Sequence, residues 1–311
     1  MPPPIAKQRA VSWNGGRPPT ATVKSAIAAQ SSTAPKPIAL ALLTVAVGAV
    51  PPFQLAAMCF TIGGAVGLVW LAVSGRGLAG LRVPPAAWAI GIGGLFGYHF
   101  CYFTAIAHAP PAQASLIAYL WPLLIVLFSG LLPGERLRPG HVGGALVAFA
   151  GAALVVLGPG AELSAAHLPG YLAAAACALI WAAYSVLSRR LGTAPTEIVA
   201  IYCLATALLS LLAHLALETT VWPQDALAWA AVAALGLGPV GLAFYLWDIG
   251  CKRGDIQLLG TASYAAPLLS TLLLIAAGFA QPSPSLLVAA LLITGGALVA
   301  ARAGRVRARG R

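Results

Sequence analysis

The chain has 311 residues, of which 60% are hydrophobic and only 8% charged, where soluble domains carry roughly a quarter charged residues. A water-soluble fold cannot hide that much apolar surface, so soluble enzymes and regulators are excluded and a chain embedded in a lipid bilayer is expected. The net charge of +11 would suit nucleic acid, but basic residues on so apolar a chain report orientation in the membrane, and no nucleic-acid partner is expected.

Residues 1–37 are polar and include Lys7, Arg9, Arg17, Lys24 and Lys36. Residues 38–50 are apolar but number only 13, which as a helix reach about 20 Å, short of a bilayer core of about 30 Å. Uncharged apolar windows follow at 53–73, 86–107, 112–132, 141–158, 170–188 and 198–217. Three more lie at 226–251, which carries Asp248, 257–280 and 285–301. Residues 302–311 form a basic tail.

If residues 38–50 cross the membrane, all 18 lysines and arginines fall on one side. That side contains Arg76 and Arg82, Arg136 and Arg138, Arg189 and Arg190, Lys252 and Arg253, and both termini. The loops near Pro51, Pro110, Glu162, Asp225 and Pro282 have none. The positive-inside rule makes the basic side cytoplasmic, with both ends there. The expected fold is all-α: a polytopic membrane protein of ten transmembrane helices.

The apolar pattern also repeats at an offset of 145 residues, with Tyr119 and Pro122-Leu123-Leu124 matching Tyr264 and Pro267-Leu268-Leu269, and Gly151 matching Gly296. An odd number of helices per unit makes the units enter from opposite sides, so residues 38–158 and 170–301 are expected to be two inverted five-helix repeats with a substrate site between them near mid-membrane. The small-xxx-small pairs Gly63/Gly67 and Gly93/Gly97, and Gly143-Gly144, read as packing positions. Gly236-Leu237-Gly238-Pro239 reads as a helix break facing a cavity, because freed backbone groups are not tolerated against lipid.

No phosphate-binding loop, metalloprotease or nucleophile-elbow motif is present. The five cysteines, Cys59, Cys101, Cys177, Cys203 and Cys251, read as reduced packing residues without a metal or disulfide role, and no cofactor is expected. The spans do carry aromatic and weakly polar side chains. Tyr98 and Tyr102 share a face with His99 beside them, Tyr119 and Trp121 bracket Leu120, Trp181 and Tyr184 stand three apart, and Tyr245, Trp247 and Asp248 close the 226–251 window. The aromatics read as a cavity lining or as an interfacial belt. His99 either serves function or hydrogen-bonds a neighbouring helix. Asp248 either couples an ion or proton, as His99 could, or forms an i,i+4 pair with Lys252.

From the 86–107 window onward the sequence resembles the drug/metabolite transporter superfamily, in its EamA-type branch, and looks most like YddG-type exporters of aromatic amino acids. The residues carrying this are Tyr119-Leu120-Trp121-Pro122, Ile180-Trp181-Ala182-Ala183-Tyr184, and Ser263-Tyr264 with Pro267 and Ser270. The resemblance implies ten helices in two inverted halves, a bacterial inner-membrane location, and a central cavity lined by Tyr98, His99, Tyr102, Tyr119, Trp121 and Trp181. Tyr184, Ser263 and Tyr264 join them as candidate substrate contacts. The chain departs from the family at its start, where polar residues 22–37 with Pro35 and Pro37 stand in place of the first half of helix one. Helix one is then shortened and bent, or the N-terminal frame is not native, or residues 38–50 act like a signal-peptide core. The expected function is export of aromatic or other neutral amino acids by alternating access, with other metabolites or organic cations as alternative substrates and a membrane-embedded enzyme as the alternative class.

Overall fold

The computed structural model describes residues 47–73, 83–157, 164–192, 194–276 and 283–305. The polar N-terminal segment, residues 38–46, the Arg76 and Arg82 loop, the Glu162 loop, residues 277–282 and the end of the basic tail lie outside the described residues.

The helices are α1 (Pro52–Val73), α2 (Pro85–His108), α3 (Pro111–Ala118), α4 (Trp121–Ser129), α5 (Pro139–Val156) and α6 (Leu168–Arg190). They continue with α7 (Val199–Leu217), α8 (Ala226–Leu237), α9 (Ala243–Arg253), α10 (Ile256–Ala262), α11 (Ala265–Ala276) and α12 (Pro284–Arg305). Five of them, α1, α2, α3, α5 and α12, begin on proline, which at a first helical position gives up no needed N–H and presets φ. With α3 joined to α4 and α8 joined to α9, eight helices among the described residues are long and apolar enough to cross a membrane. The expected span 257–280 is represented by α10 and α11, with residues 277–280 outside the described part. Large apolar side chains such as Trp70, Leu172, Leu215 and Leu291 are exposed, as befits a surface facing lipid.

The two prolines matched by the repeat cause matching interruptions. Pro122 and Pro267 cannot donate backwards and crowd the carbonyl four residues earlier, and the chain turns out of helix at Tyr119-Leu120 and at Ser263-Tyr264. The Leu123 N–H freed by the first break is taken by the Tyr264 hydroxyl at 3.1 Å, so the second broken span helps to close the first. The third interruption, at Gly238–Leu242, is a stretch of π-helix between α8 and α9: the expected break is a widened turn. There the chain comes so close to α1 that a Cβ on Gly63 would lie 2.8 Å from the Gly241 Cα.

The long helices pack in pairs: α1 along α7, α2 along α6, and α5 along α12, while α4 packs on α10. A Cβ on Gly144 would lie 2.8 Å from the Ala300 nitrogen, and one on Gly296 would lie 2.7 Å from the Ala148 nitrogen. Glycine is therefore what lets α5 and α12 touch backbone to backbone. Gly93 and Gly143, expected as packing positions, face open space. The start of α1 is held by Glu218 beyond α7, whose carboxylate accepts the Phe53 and Gln54 N–H groups at 3.0 and 3.1 Å. On the basic face, Arg189 at the end of α6 donates to Glu135 at 2.7 Å and to the Cys251 and Gly254 carbonyls at 2.9 and 2.7 Å.

Candidate substrate-binding site

Where α1, α2, α4, α6 and α9 converge, their side chains form one aromatic cluster centred on Trp181. The ring of Trp181 is 5.0 Å from Tyr98, 6.3 Å from Trp121, 5.2 Å from Tyr184, and 5.7 Å from both Phe244 and Trp247. Trp121 stands edge-on to Trp247 at 5.3 Å. Such offset and edge contacts match positive ring edges to negative faces. On α2, the i,i+4 spacing sets Tyr98 and Tyr102 parallel, 6.2 Å apart and 2° from coplanar orientation.

His99 lies between Tyr98, Phe60, Phe103 and Phe244. Its Nδ1 is 2.7 Å from the Leu95 carbonyl. A carbonyl only accepts, so Nδ1 carries the proton and Nε2 keeps a lone pair. Tyr98, His99, Tyr102 and Trp121 are partly accessible although helices surround them, as residues bordering an internal space would be. Tyr102 shares a hydrogen bond of 3.3 Å with Ser115 of α3.

A scan against family models matches the EamA-like transporter family twice, over residues 38–157 and 168–302. The chain belongs to this family. It is a multi-pass inner-membrane transporter of small molecules, and the enzyme alternative falls away because the family and its relatives are transporters. A relative described as the aromatic amino acid exporter YddG of Ancylobacter novellus is 62% identical over 264 residues, spanning 84% of this chain and 91% of the relative. The protein of the same description from Salmonella typhimurium is 28% identical over 241 residues, or 71% and 78% of the two chains. A solved crystal structure superposes with a TM-score of 0.81 at 57% identity, covering 92% of this chain and 98% of that one.

Within this EamA-like framework the remaining candidate residues are distributed as follows. Tyr184 is 2% exposed and presses on α2 where only Gly94 leaves room, so it backs Trp181 from behind. Tyr119 and Tyr264 pack in a second cluster with α5 and α12, and Tyr119 also lies within electrostatic reach of the Tyr98 and Tyr102 phenols. Tyr119 and Trp121, two residues apart and so about 200° apart on a helix, face different neighbours. Ser263 donates to the Leu259 carbonyl at 2.8 Å. Asp248 is fully engaged, accepting from Lys252 at 2.8 Å and Thr196 at 2.7 Å.

Cluster residues not anticipated from sequence include Phe60 and Phe244, and Ser185 beside them was also not anticipated. Phe60 is a single aromatic in a run of apolar residues and gives no periodic signal. Phe244 stands three before Trp247, the spacing that marked Trp181 and Tyr184, so it was open to detection. Tyr245, singled out instead, points to α1 and donates to the Gly63 carbonyl at 3.0 Å. Ser185 is fully buried; it donates to the Trp181 carbonyl at 2.8 Å and accepts from the Trp247 indole at 3.0 Å.

Proposed function

We propose that this transporter exports aromatic amino acids by alternating access, through a cavity bordered by Tyr98, His99, Tyr102, Trp121 and Trp181 together with Phe244 and Trp247, with the fully buried Phe60 behind them. The observation that carries the reading is the convergence of ring faces from five helices around Trp181. A substrate ring is held there by offset and edge contacts. Its ammonium is attracted by ring faces at about 0.5–2 kcal/mol per contact and by the lone pair on His99 Nε2, while the Tyr98 and Tyr102 hydroxyls suit its carboxylate. The descriptions of the relatives from A. novellus and S. typhimurium agree with this substrate class. Tyr119, Tyr184, Ser263 and Tyr264 support the lining from behind or shape the helix breaks.

The architecture we infer is ten helices in two inverted halves, 38–158 and 170–301, with residues 1–37 and 302–311 cytoplasmic. Support comes from the double match of the family model and from the pairing of α1 with α7 and α5 with α12, which are equivalent helices under the 145-residue offset. Val47 and Val50 pack with residues of α8, as a first helix would if it mirrored the α2–α6 pair. The repeat makes α3 equivalent to α10 and α4 to α11. Packing of α4 on α10 near the basic face has no counterpart of similar extent between α3 and α11 among the described residues, which supports a state closed on the basic side and open on the other.

Flux into proteoliposomes across a panel of aromatic and aliphatic amino acids, plus a quaternary ammonium compound, tests this reading. Tryptophan, phenylalanine and tyrosine are expected to move. Because aromatic cages also hold organic cations, transport of the ammonium compound in place of the amino acids would replace the proposed substrate. A pH-gradient effect that His99→Asn removes assigns proton coupling to His99, whereas Asp248 is engaged by Lys252 and Thr196.

A further inference from the structure

The basic face holds a second cavity, separate from the aromatic cluster, of about 140 Å³. A water molecule occupies about 30 Å³ of liquid, so the space takes one tetrahedral oxyanion with some water. It lies where the start of α5, the ends of α6 and α12 and the start of α10 meet, and its walls include Arg136, Arg138, His141, Asp255 and Gln257.

His141 marks this space as more than a surface recess. Its side chain is only 3% exposed. The Arg138 backbone N–H donates to Nδ1 at 3.3 Å, which leaves the proton of the neutral ring on Nε2. That buried N–H has no partner, an arrangement native structures rarely keep unless something outside the chain accepts the bond. Nε2 faces Gly304 on the opposite wall, 4.0 Å from where a Cβ would stand.

The surrounding groups are donors with charge to spare. Among the described residues the Arg138 guanidinium donates to the Ala303 carbonyl at 2.8 Å, and the Arg136 side chain is exposed. Of the two acids, Glu135 is paired with Arg189 at 2.7 Å, and Asp255 accepts the Gln257 and Leu258 N–H groups through Oδ1, both at 3.0 Å, with Oδ2 near Gly304. Two arginines, an imidazole N–H and the Gln257 amide around a space of this size suit a group that only accepts hydrogen bonds and carries negative charge. The competing occupant is a water bridging His141 Nε2 and the exposed Asp255 carboxylate.

We propose that this cavity binds a phosphate group, carried by an anionic lipid headgroup at the membrane surface or by a soluble phosphate compound. A basic recess between spanning helices at headgroup depth has the chemistry for either. The test uses the full-length protein in neutral detergent, read by thermal unfolding and native mass spectrometry. One arm compares inorganic phosphate with chloride at matched ionic strength, and the other compares phosphatidylglycerol with phosphatidylcholine in mixed micelles.

Binding of phosphate or phosphatidylglycerol is expected to weaken about fivefold in Arg136→Gln, an exposed position that leaves the fold untouched, and about 25-fold in Arg136→Gln with Arg138→Gln. Saturation by inorganic phosphate with no further gain from phosphatidylglycerol assigns a soluble compound. Phosphatidylglycerol that phosphate fails to displace assigns a headgroup, and either result supports the site. Equal stability in phosphate and chloride together with equal retention of the two lipids overturns the proposal in favour of bridging water, and so does a phosphate or phosphatidylglycerol preference unchanged in the double variant.

Discussion

Ser185 shows how one small side chain sets the geometry of much larger ones. Its hydroxyl donates to the Trp181 backbone carbonyl and accepts the Trp247 indole N–H, so it ties the Trp247 ring of α9 to the α6 backbone beneath Trp181. In Ser185→Ala the indole donor is left buried without a partner, which costs about 1–3 kcal/mol. Thermal unfolding should register that loss, and in a Trp247→Phe background, where there is no N–H to satisfy, the same substitution should cost much less. Equal costs in both backgrounds would show that the hydrogen bond does not matter. The residues legible in the sequence were those with a period or a motif: Tyr98 and Tyr102 one turn apart, and Trp181 inside its run. Ser185 was not legible, because a serine in a spanning helix more often bonds its own backbone, which this one also does.

At the scale of elements, proline set the breaks. Pro122 and Pro267 end α3 and α10 within a few residues, a consequence that follows from ring chemistry alone. That the freed Leu123 N–H finds the Tyr264 hydroxyl from the equivalent broken helix depends on tertiary packing and leaves no trace in either segment. Tyr264→Phe should therefore destabilise the protein by about 1–3 kcal/mol with little change in apolar packing, measured by unfolding in detergent; a neutral substitution would mean the N–H finds another partner. The close α5–α12 pair makes a second claim. Any side chain at Gly296 meets the Ala148 backbone, so Gly296→Ala should cost about 1–3 kcal/mol by overpacking, whereas the same change at the open Gly143 should cost little. The glycine pattern pointed to packing in general but could not separate Gly144, in contact, from Gly143, facing away, because that depends on the rotation of α5 about its own axis.

For the whole molecule, the distribution of basic residues predicts orientation through short loops. Single cysteines near Pro110, Ser164 and Gln224 in a cysteine-free background should react with impermeant thiol reagents from outside, and ones near Gly80 and Gly254 should not; the reverse pattern would invert the topology. The class was readable from composition because the bilayer imposes an apolar surface on every span, and the orientation rests on charge alone until the labelling is done. The position of the aromatic cluster was readable only through family motifs, since it depends on which faces of α1, α2, α4, α6 and α9 meet. Trp181 is the residue on which those faces converge. Removing one ring contact of about 0.5–2 kcal/mol should weaken substrate binding about 2- to 30-fold, and removing the hub of five contacts should do more. The decisive measurement is tryptophan flux into proteoliposomes at matched protein levels for wild type, Trp181→Ala, and Tyr98→Ala with Tyr102→Ala: the account predicts that both variants reach the membrane and lose export, and wild-type flux in either would contradict it.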